Sequence, residues 1–323
     1  MYYLKTGKKM EVFKATSNIG FMKLRKFTFI SSLVVLLIIA GSLATRGLNF
    51  GVDFTGGTIV ELGYPQPVVL EDVRQRLDQA GFHGVLVQHF GSSRDVLIRL
   101  APHAEQTQVE VSTRVLASLK QDGQGDIEMR RIEFVGPQVG NELVEQGGLA
   151  LLLALIGVFI YVMLRFEWRF ALGAVAATTH DIILTIGVFS IFQIEFDLTV
   201  LAAVLAVLGY SLNDTIVVFD RIRENFRKMR KGTSIDIMNA AINQTLSRTI
   251  MTSMTTLLVV IVLFFFGGET VRGFSLAMII GIVIGTYSSI FFASPIALML
   301  GVDRANLISV PVKKEGEGAD LRP

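Results

Sequence analysis

Asp214 is the residue of this sequence whose type and position most directly suggest chemistry, because it interrupts an apolar run that extends from Leu198 to Phe219. A run of that length can span a bilayer at about 1.5 Å per residue. A charged carboxylate at bilayer depth costs several kcal/mol. We therefore expect Asp214 to face a protein interior, a partner or water.

Other polar residues lie in predicted membrane spans: His180 and Asp181 in the third, Asn213 in the fourth and Arg248 near the start of the fifth. The third and fourth spans are joined by a five-residue loop, so their polar positions can meet. Arg248 lies near the cytoplasmic start of the fifth span, and the fourth span, which contains Asp214, runs toward that same side. An arginine–carboxylate pair would lower the desolvation penalty of both charges. Protonation of the carboxylate would switch that pair. The alternative is a buried ion pair that only fixes helix register.

Small residues surround these positions and allow close approach or motion of the helices, although packing alone explains them equally well. They are Gly209, Ser211, Gly281, Gly285, Ser288 and Ser289.

The composition predicts an integral membrane protein, since 51% of the 323 residues are hydrophobic and only 18% are charged. The net charge of +2 indicates little about partners, and no pattern typical of nucleic-acid binding is present. The absence of cysteine excludes disulfides and thiolate metal sites.

The apolar runs predict an α-helical polytopic protein with six transmembrane helices, the first of which is an uncleaved anchor rather than a cleaved signal peptide. The predicted segments are a cytoplasmic N-terminal segment 1–26, a first membrane helix 27–45, an exterior domain 46–146, spans two to six within 147–300 with a basic cytoplasmic loop 220–245, and a cytoplasmic tail 301–323.

The basic residues of the short connections predict the orientation. The 165–169 and 220–248 segments hold 2 and 7 basic residues, whereas 193–197 holds none and 267–273 only Arg272. Both termini are therefore expected in the cytoplasm and the 46–146 domain outside. The 220–231 segment is either an amphipathic helix on anionic membrane lipid or a solvated loop, and the second reading is favoured.

The exterior domain is predicted to be an α+β, ferredoxin-like unit, because its pattern is strand, helix, strand, strand, helix, strand. The predicted strands are Thr58–Leu62, Val85–Phe90, Val96–Leu100 and Ile127–Val135, and the helices are Leu70–Ala80 and Glu105–Lys120.

Metal binding and catalysis are not expected. His83, His89 and His103 lack the spacing of metal ligands. The exterior domain has no convincing acid–base pair, and His180–Asp181 lacks a nucleophile that would complete a triad.

Ordered motifs along the chain carry a resemblance to the SecF branch of the SecD/SecF family of bacterial protein-export membrane proteins, which belongs among transporters of the resistance-nodulation-division type. The motifs are Asn49-Phe-Gly-Val-Asp-Phe-Thr-Gly-Gly57, Phe134-Val-Gly-Pro137, Arg165-Phe-Glu-Trp-Arg169, His180-Asp181, Gly209-Tyr-Ser-Leu-Asn-Asp-Thr215, Asp220-Arg-Ile-Arg-Glu-Asn225, Asn243-Gln-Thr-Leu-Ser-Arg-Thr249 and Gly285-Thr-Tyr-Ser-Ser289.

The resemblance implies a subunit of the bacterial cytoplasmic membrane that pairs with SecD, usually with YajC, and assists the SecYEG translocon in moving preproteins. The proton-motive force would drive it, without a cofactor. Asp214 and Arg248 would belong to the proton pathway, to which SecD adds a further carboxylate. The alternatives are a subunit of a proton-coupled small-solute efflux transporter and a passive scaffold.

Overall fold

The long apolar runs form helices, because a chain within a bilayer must satisfy its backbone hydrogen bonds internally. A computed structural model of the protein describes residues 18–101, 108–120 and 127–303. The elements in chain order are α1 (Arg25–Thr45), β1 (Asn49–Phe50), α2 (Val52–Thr55), β2 (Gly57–Gly63), α3 (Leu70–Gln79), β3 (Leu86–Phe90), β4 (Ser92–Leu100), α4 (Gln108–Lys120), β5 (Glu128–Val135), α5 (Pro137–Arg165), α6 (Trp168–Phe192), β6 (Glu195–Phe196), α7 (Leu198–Lys228), α8 (Ser234–Phe266), α9 (Arg272–Ser288) and α10 (Ser294–Met299).

Six helices of the described chain are long and apolar enough to span a bilayer, which confirms the predicted number of spans. They are α1, α5, α6, α7, α8 and the α9–α10 unit, whose two helices are joined by a π-helical turn at Ser289–Ala293. Much of the predicted loop 220–245 is helical, because α7 continues to Lys228 and α8 begins at Ser234. Thr233 and Asp236 form a capping box at the start of α8, which explains why that helix begins before the apolar run.

α7 packs against α6, α8 and α9, and it crosses α9 closely. A Cβ atom added at Gly281 would collide with the side chain of Val207, and one added at Gly285 would lie 3.0 Å from Cβ of Ser211. The prediction that Gly281 and Gly285 allow close helix approach is therefore confirmed. Gly209 differs, since an added Cβ there meets no atom within 4 Å.

The exterior unit has the predicted ferredoxin-like order, with a four-stranded antiparallel sheet in the order β3-β4-β2-β5. α3 and α4 cover one face, and Val60, Leu77, Ile98 and Val115 lie in the core between helices and sheet. β4 begins four residues before its predicted start, because Gly91, with φ of 76°, makes a tight turn that pairs Phe90 with Ser92. His103 and residues 105–107 of the predicted second helix lie outside the described residues.

The exterior unit is attached to the outer end of α7 by contacts that the sequence pattern did not predict. β1 pairs in parallel with β6, and Asp53 Oδ2 accepts a hydrogen bond from Leu198 N at 3.0 Å. Arg99 of the sheet forms an ion pair with Glu195, just before α7. A cavity of about 570 Å³ lies between the helix-free face of the sheet and the outer ends of the membrane helices.

We expect an excised 55–137 fragment to unfold cooperatively, because the apolar core of the exterior unit is separate from that of the membrane bundle. Burial raises the pKa of the Tyr64 hydroxyl from 10.0 to about 12. The folded unit therefore holds this proton more tightly than the unfolded chain does. Its contribution to stability should be complete below pH 10.0 and should be lost as the pH rises to about 12.

Thermal melts of the fragment at a series of pH values test both expectations, with Tyr64→Phe as the control that removes the phenolic proton. The control should melt normally at neutral pH and lose less stability in alkali. A fragment without a cooperative transition would contradict the assignment of an independently folding unit.

Candidate functional site

Asp214 lies near the middle of α7 and is buried, with 2% of its surface exposed. Its Oδ2 atom accepts a hydrogen bond from Ser253 Oγ of α8 at 3.4 Å. Ser253 Oγ in turn lies 2.7 Å from Thr286 Oγ1 of α9. The expected interior position of Asp214 is thus a junction of three membrane helices lined by hydroxyl groups.

Helical spacing explains this placement. Val207, Ser211, Asp214 and Val218 recur at intervals of three or four residues and are all buried, so they form one face of α7. The carboxyl group consequently points into the bundle with this apolar face, where neighbouring helices supply its hydrogen-bond partners.

Arg248 does not form the direct ion pair with Asp214 that the sequence suggested. Both residues lie in the described part of the chain, and their charged atoms do not approach within 4.0 Å in this structure. The reason is helical phase: α8 directs Ser253 to Asp214, and Arg248, five positions earlier, lies on another face and is exposed. Beyond 4.0 Å the two opposite charges still attract each other, although they form no ion pair.

Asn213 is exposed on the opposite face of α7, although it is adjacent to Asp214 in sequence. Ala202, Ala206 and Gly209 are exposed on the same face. This open face therefore presents one amide among small side chains at bilayer depth, where an unsatisfied polar group is costly.

Asp181 and His180 form a second buried polar cluster, on α6. Asp181 Oδ2 accepts hydrogen bonds from Ser211 Oγ of α7 at 2.5 Å and from Ser288 Oγ of α9 at 2.6 Å. Its Oδ1 atom lies 2.9 Å from His180 Nδ1. The imidazole stacks on Phe292, with ring centroids 4.1 Å apart.

The structure thus places both Asp214 and Asp181 at buried junctions that include α7 and α9, but it leaves Asn213 and Arg248 on exposed surfaces. The sequence analysis missed the hydroxyl groups of Ser253 and Thr286, and it gave Ser211 and Ser288 a role only in the close approach, motion or packing of helices. The available signal was the presence of small hydroxyl residues on the spans adjacent to each carboxylate.

The described residues contain no group of three or more His, Asp or Glu side chains placed to hold a metal ion. In the exterior unit, His83 Nδ1 lies 2.6 Å from Asp78 Oδ1 on the surface.

The arrangement at Asp214 is suited to the uptake and release of a proton, since its partners are hydroxyl groups that can either donate or accept a hydrogen bond.

Comparisons with known proteins agree with this architecture. Residues 114–303 match the family model described as protein export membrane protein SecD/SecF, C-terminal, and residues 41–68 match the SecD/SecF GG motif. The chain is 54% identical over 314 residues to the protein translocase subunit SecF of Vibrio alginolyticus, covering 97% of this chain and 99% of that protein. It is 49% identical to the SecF of Pseudomonas aeruginosa, covering 95% and 98%.

Two solved structures of SecDF share the fold. The crystal structure of the translocon-associated membrane protein SecDF from Thermus thermophilus has a TM-score of 0.79 and 35% identity. A SecDF structure in a super-membrane-facing form has a TM-score of 0.65 and 35% identity. These matches cover 89% and 88% of this chain, which itself spans only 39% of the length of each SecDF chain.

Proposed function

Because the chain belongs to the SecD/SecF family of protein export membrane proteins, we propose that it uses the proton-motive force to promote protein translocation as the SecF-type subunit of a SecD-containing complex. This complex would assist the SecYEG channel, usually together with YajC, and act on preproteins already engaged in the channel. The proton gradient would supply the energy, without a bound cofactor. The role is transport rather than catalysis of a chemical reaction.

The observation that carries the proposal is the position of Asp214, a titratable group enclosed at bilayer depth by hydroxyl groups of α8 and α9. An ionised carboxylate can only accept hydrogen bonds, whereas the protonated acid can also donate one. Gain or loss of the proton therefore changes which hydrogen bonds join α7 to its neighbours. It also changes the attraction toward Arg248.

The attachments at the outer end of α7 provide a route from that change to the exterior unit. α7 is one helix from Leu198 to Lys228, so a shift at Asp214 moves its outer end as well. That end is joined to the exterior unit through Asp53 and through the Arg99–Glu195 ion pair. A proton-dependent shift of α7 would then move a domain that can contact the emerging preprotein.

The open face of α7 is proposed to receive a membrane helix of SecD. Asn213 and Gly209 lie on this face, and Arg248 is exposed on the adjacent helix α8. A partner carboxylate on the SecD side would neutralise Arg248 and complete the set of charges that the resemblance implies. The small side chains of the face favour close helix contact in a membrane.

The chain is proposed to lie in the bacterial cytoplasmic membrane with both termini in the cytoplasm and the exterior unit in the periplasm. Cysteines introduced at Ser93 and Lys231 test this orientation, because the sequence contains no native cysteine and both positions are exposed. An impermeant thiol reagent applied to intact spheroplasts should modify the first and spare the second. Lysed spheroplasts provide the control in which both positions react. The reverse pattern in intact spheroplasts would contradict the orientation.

The function is tested with inverted membrane vesicles in which ATP has already initiated translocation of a preprotein. A proton gradient should accelerate the late stage of translocation in vesicles that contain SecD and this chain. Vesicles that contain SecD alone should lack this acceleration, which we call the gradient increment. An equal increment with and without this chain would contradict the proposed function.

A further inference from the structure

Asp181 joins three membrane helices through a carboxylate that is fully buried. Its Oδ2 atom accepts hydrogen bonds from Ser211 of α7 and Ser288 of α9, which ties α6 to both of these helices. Burial of a carboxylate is costly, and an apolar residue of similar size often stabilises a protein equally well. Stability alone therefore does not explain why a carboxylate occupies this position.

α7 and α9 also carry the two ends of the hydrogen-bond chain of Asp214, which passes through Ser253 of α8. Ser211 precedes Asp214 by three residues, so their side chains lie on one face of α7. Thr286, which contacts Ser253 in the chain leading to Asp214, precedes Ser288 by two residues on α9. Gly285 lies at this crossing, where an added Cβ would be 3.0 Å from Cβ of Ser211. Both carboxylates are thus linked to α7 and α9 near this crossing, Asp181 directly and Asp214 through Ser253 of α8.

We propose that Asp181 is a positioning residue for Asp214, because its hydrogen bonds to Ser211 and Ser288 fix the separation of α7 and α9 at the level of the proton-linked site. This role rests on the proposed function. Its physical basis is the length of the contact between Ser253 and Asp214, which at 3.4 Å is at the outer limit of a hydrogen bond. Ser253 belongs to α8 and is hydrogen-bonded to Thr286 of α9, so an increase in the separation of α7 and α9 draws Ser253 away from Asp214. Formation of the contact therefore depends on the nearby hydrogen bonds that hold α7 and α9 together.

His180 completes the positioning unit by occupying the second oxygen of the carboxylate. With Oδ1 held by the imidazole and the ring stacked on Phe292, Oδ2 is directed to the two serines. The serine hydroxyls are therefore the groups whose removal tests the proposal, since they connect Asp181 to α7 and α9 without themselves carrying charge.

Ser288→Ala is the principal test, and Ser275→Ala is its matched control. Both serines lie on α9 and are fully buried, but the Ser275 hydroxyl donates to Val271 O of its own helical segment, whereas Ser288 reaches Asp181. We expect Ser288→Ala to lose most of the gradient increment while ATP-driven initiation and protein level match the control. Ser211→Ala should also lose most of the gradient increment. It replaces Ser288→Ala as the test variant if Ser288→Ala does not accumulate in the membrane.

A spectroscopic readout separates positioning from general stability. The infrared carboxyl band of Asp214 can be identified in the intact SecD-containing complex by its absence from Asp214→Asn. Ser288→Ala and Ser211→Ala should shift this band, because the hydrogen bonding of Asp214 changes. Ser275→Ala should leave it in place. Serine variants that match Ser275→Ala in both the band and the gradient increment would overturn the positioning role.

Asp181→Asn distinguishes positioning from proton transfer by Asp181 itself. The side-chain oxygen of asparagine can still accept hydrogen bonds from both serines, so we expect this variant to keep much of the gradient increment. Complete loss, as expected for Asp214→Asn, would make Asp181 a proton carrier and overturn the positioning role. If Asp214→Asn itself retained the increment, the proposed function would fail as well. If the serine variants kept the gradient increment but Asp214→Asn lost it, only the positioning role would be overturned, and the proposed function would be unaffected.

Discussion

Asp214→Asn is expected to abolish the gradient increment while the protein remains inserted and associated with SecD. Asparagine has nearly the same volume as aspartate, and its oxygen can still accept the hydrogen bond from Ser253. The substitution removes the titratable proton, so the hydrogen bonds of α7 can no longer change with protonation. Late translocation in inverted vesicles should then proceed at the same rate with and without a proton gradient.

Asp220→Asn is the matched control for this variant, because it makes the same substitution on the same helix at an exposed position. Asp220 Oδ1 pairs with Arg165 Nη2 at 3.0 Å toward the C-terminal end of α7. Exposed pairs of this kind contribute about 0.2–1 kcal/mol, so the control should keep both its stability and its gradient increment. An Asp214→Asn variant with the full increment would show that Asp214 is a structural polar residue.

Arg248→Met is expected to abolish the gradient increment with little effect on the stability of this chain. Arg248 is exposed, and its guanidinium lies more than 4.0 Å from the carboxylate of Asp214. Substitution by methionine therefore breaks no direct ion pair with Asp214. It keeps an unbranched stem but removes the attraction that the cation exerts on Asp214. The proposed contact with a carboxylate of SecD is lost as well.

The test compares Arg248→Met with Arg227→Met, which removes an exposed cation from the last turn of α7. Protein level and co-purification with SecD should be normal in both variants, and only Arg248→Met should lose the increment. The double variant with Asp214→Asn should show no further loss, because residues that act as one unit are not additive. Equal increments in the two arginine variants would exclude Arg248 from the coupling.

Local sequence signals were sufficient to predict the spans and the exterior unit. Length and apolar character identify a membrane helix, and helical or alternating periodicity identifies the elements of the ferredoxin-like sheet. These signals are contained within each segment. The burial of Asp214 was predictable for the same reason, since a carboxylate in a long apolar run has few tolerable environments.

The contacts of the site depend instead on how separate helices are rotated and spaced, which no single segment encodes. The five-residue offset between Arg248 and Ser253 decides which of them faces Asp214, and the close crossing at Gly281 places α9 beside α7. The hydrogen bonds of Asp181 follow from that crossing. β1 and β6 were missed because strands of two residues have no periodicity, and their pairing joins distant parts of the chain.

Infrared difference spectroscopy of the intact complex with SecD in lipid nanodiscs tests most directly whether Asp214 gains and loses a proton. Spectra recorded as the pH is changed should contain a carboxylic-acid band that is replaced by a carboxylate band, and this change should be absent from Asp214→Asn. We expect Asp220→Asn to retain it. A difference spectrum that is the same in the unsubstituted protein and in Asp214→Asn would contradict the proton-switch mechanism.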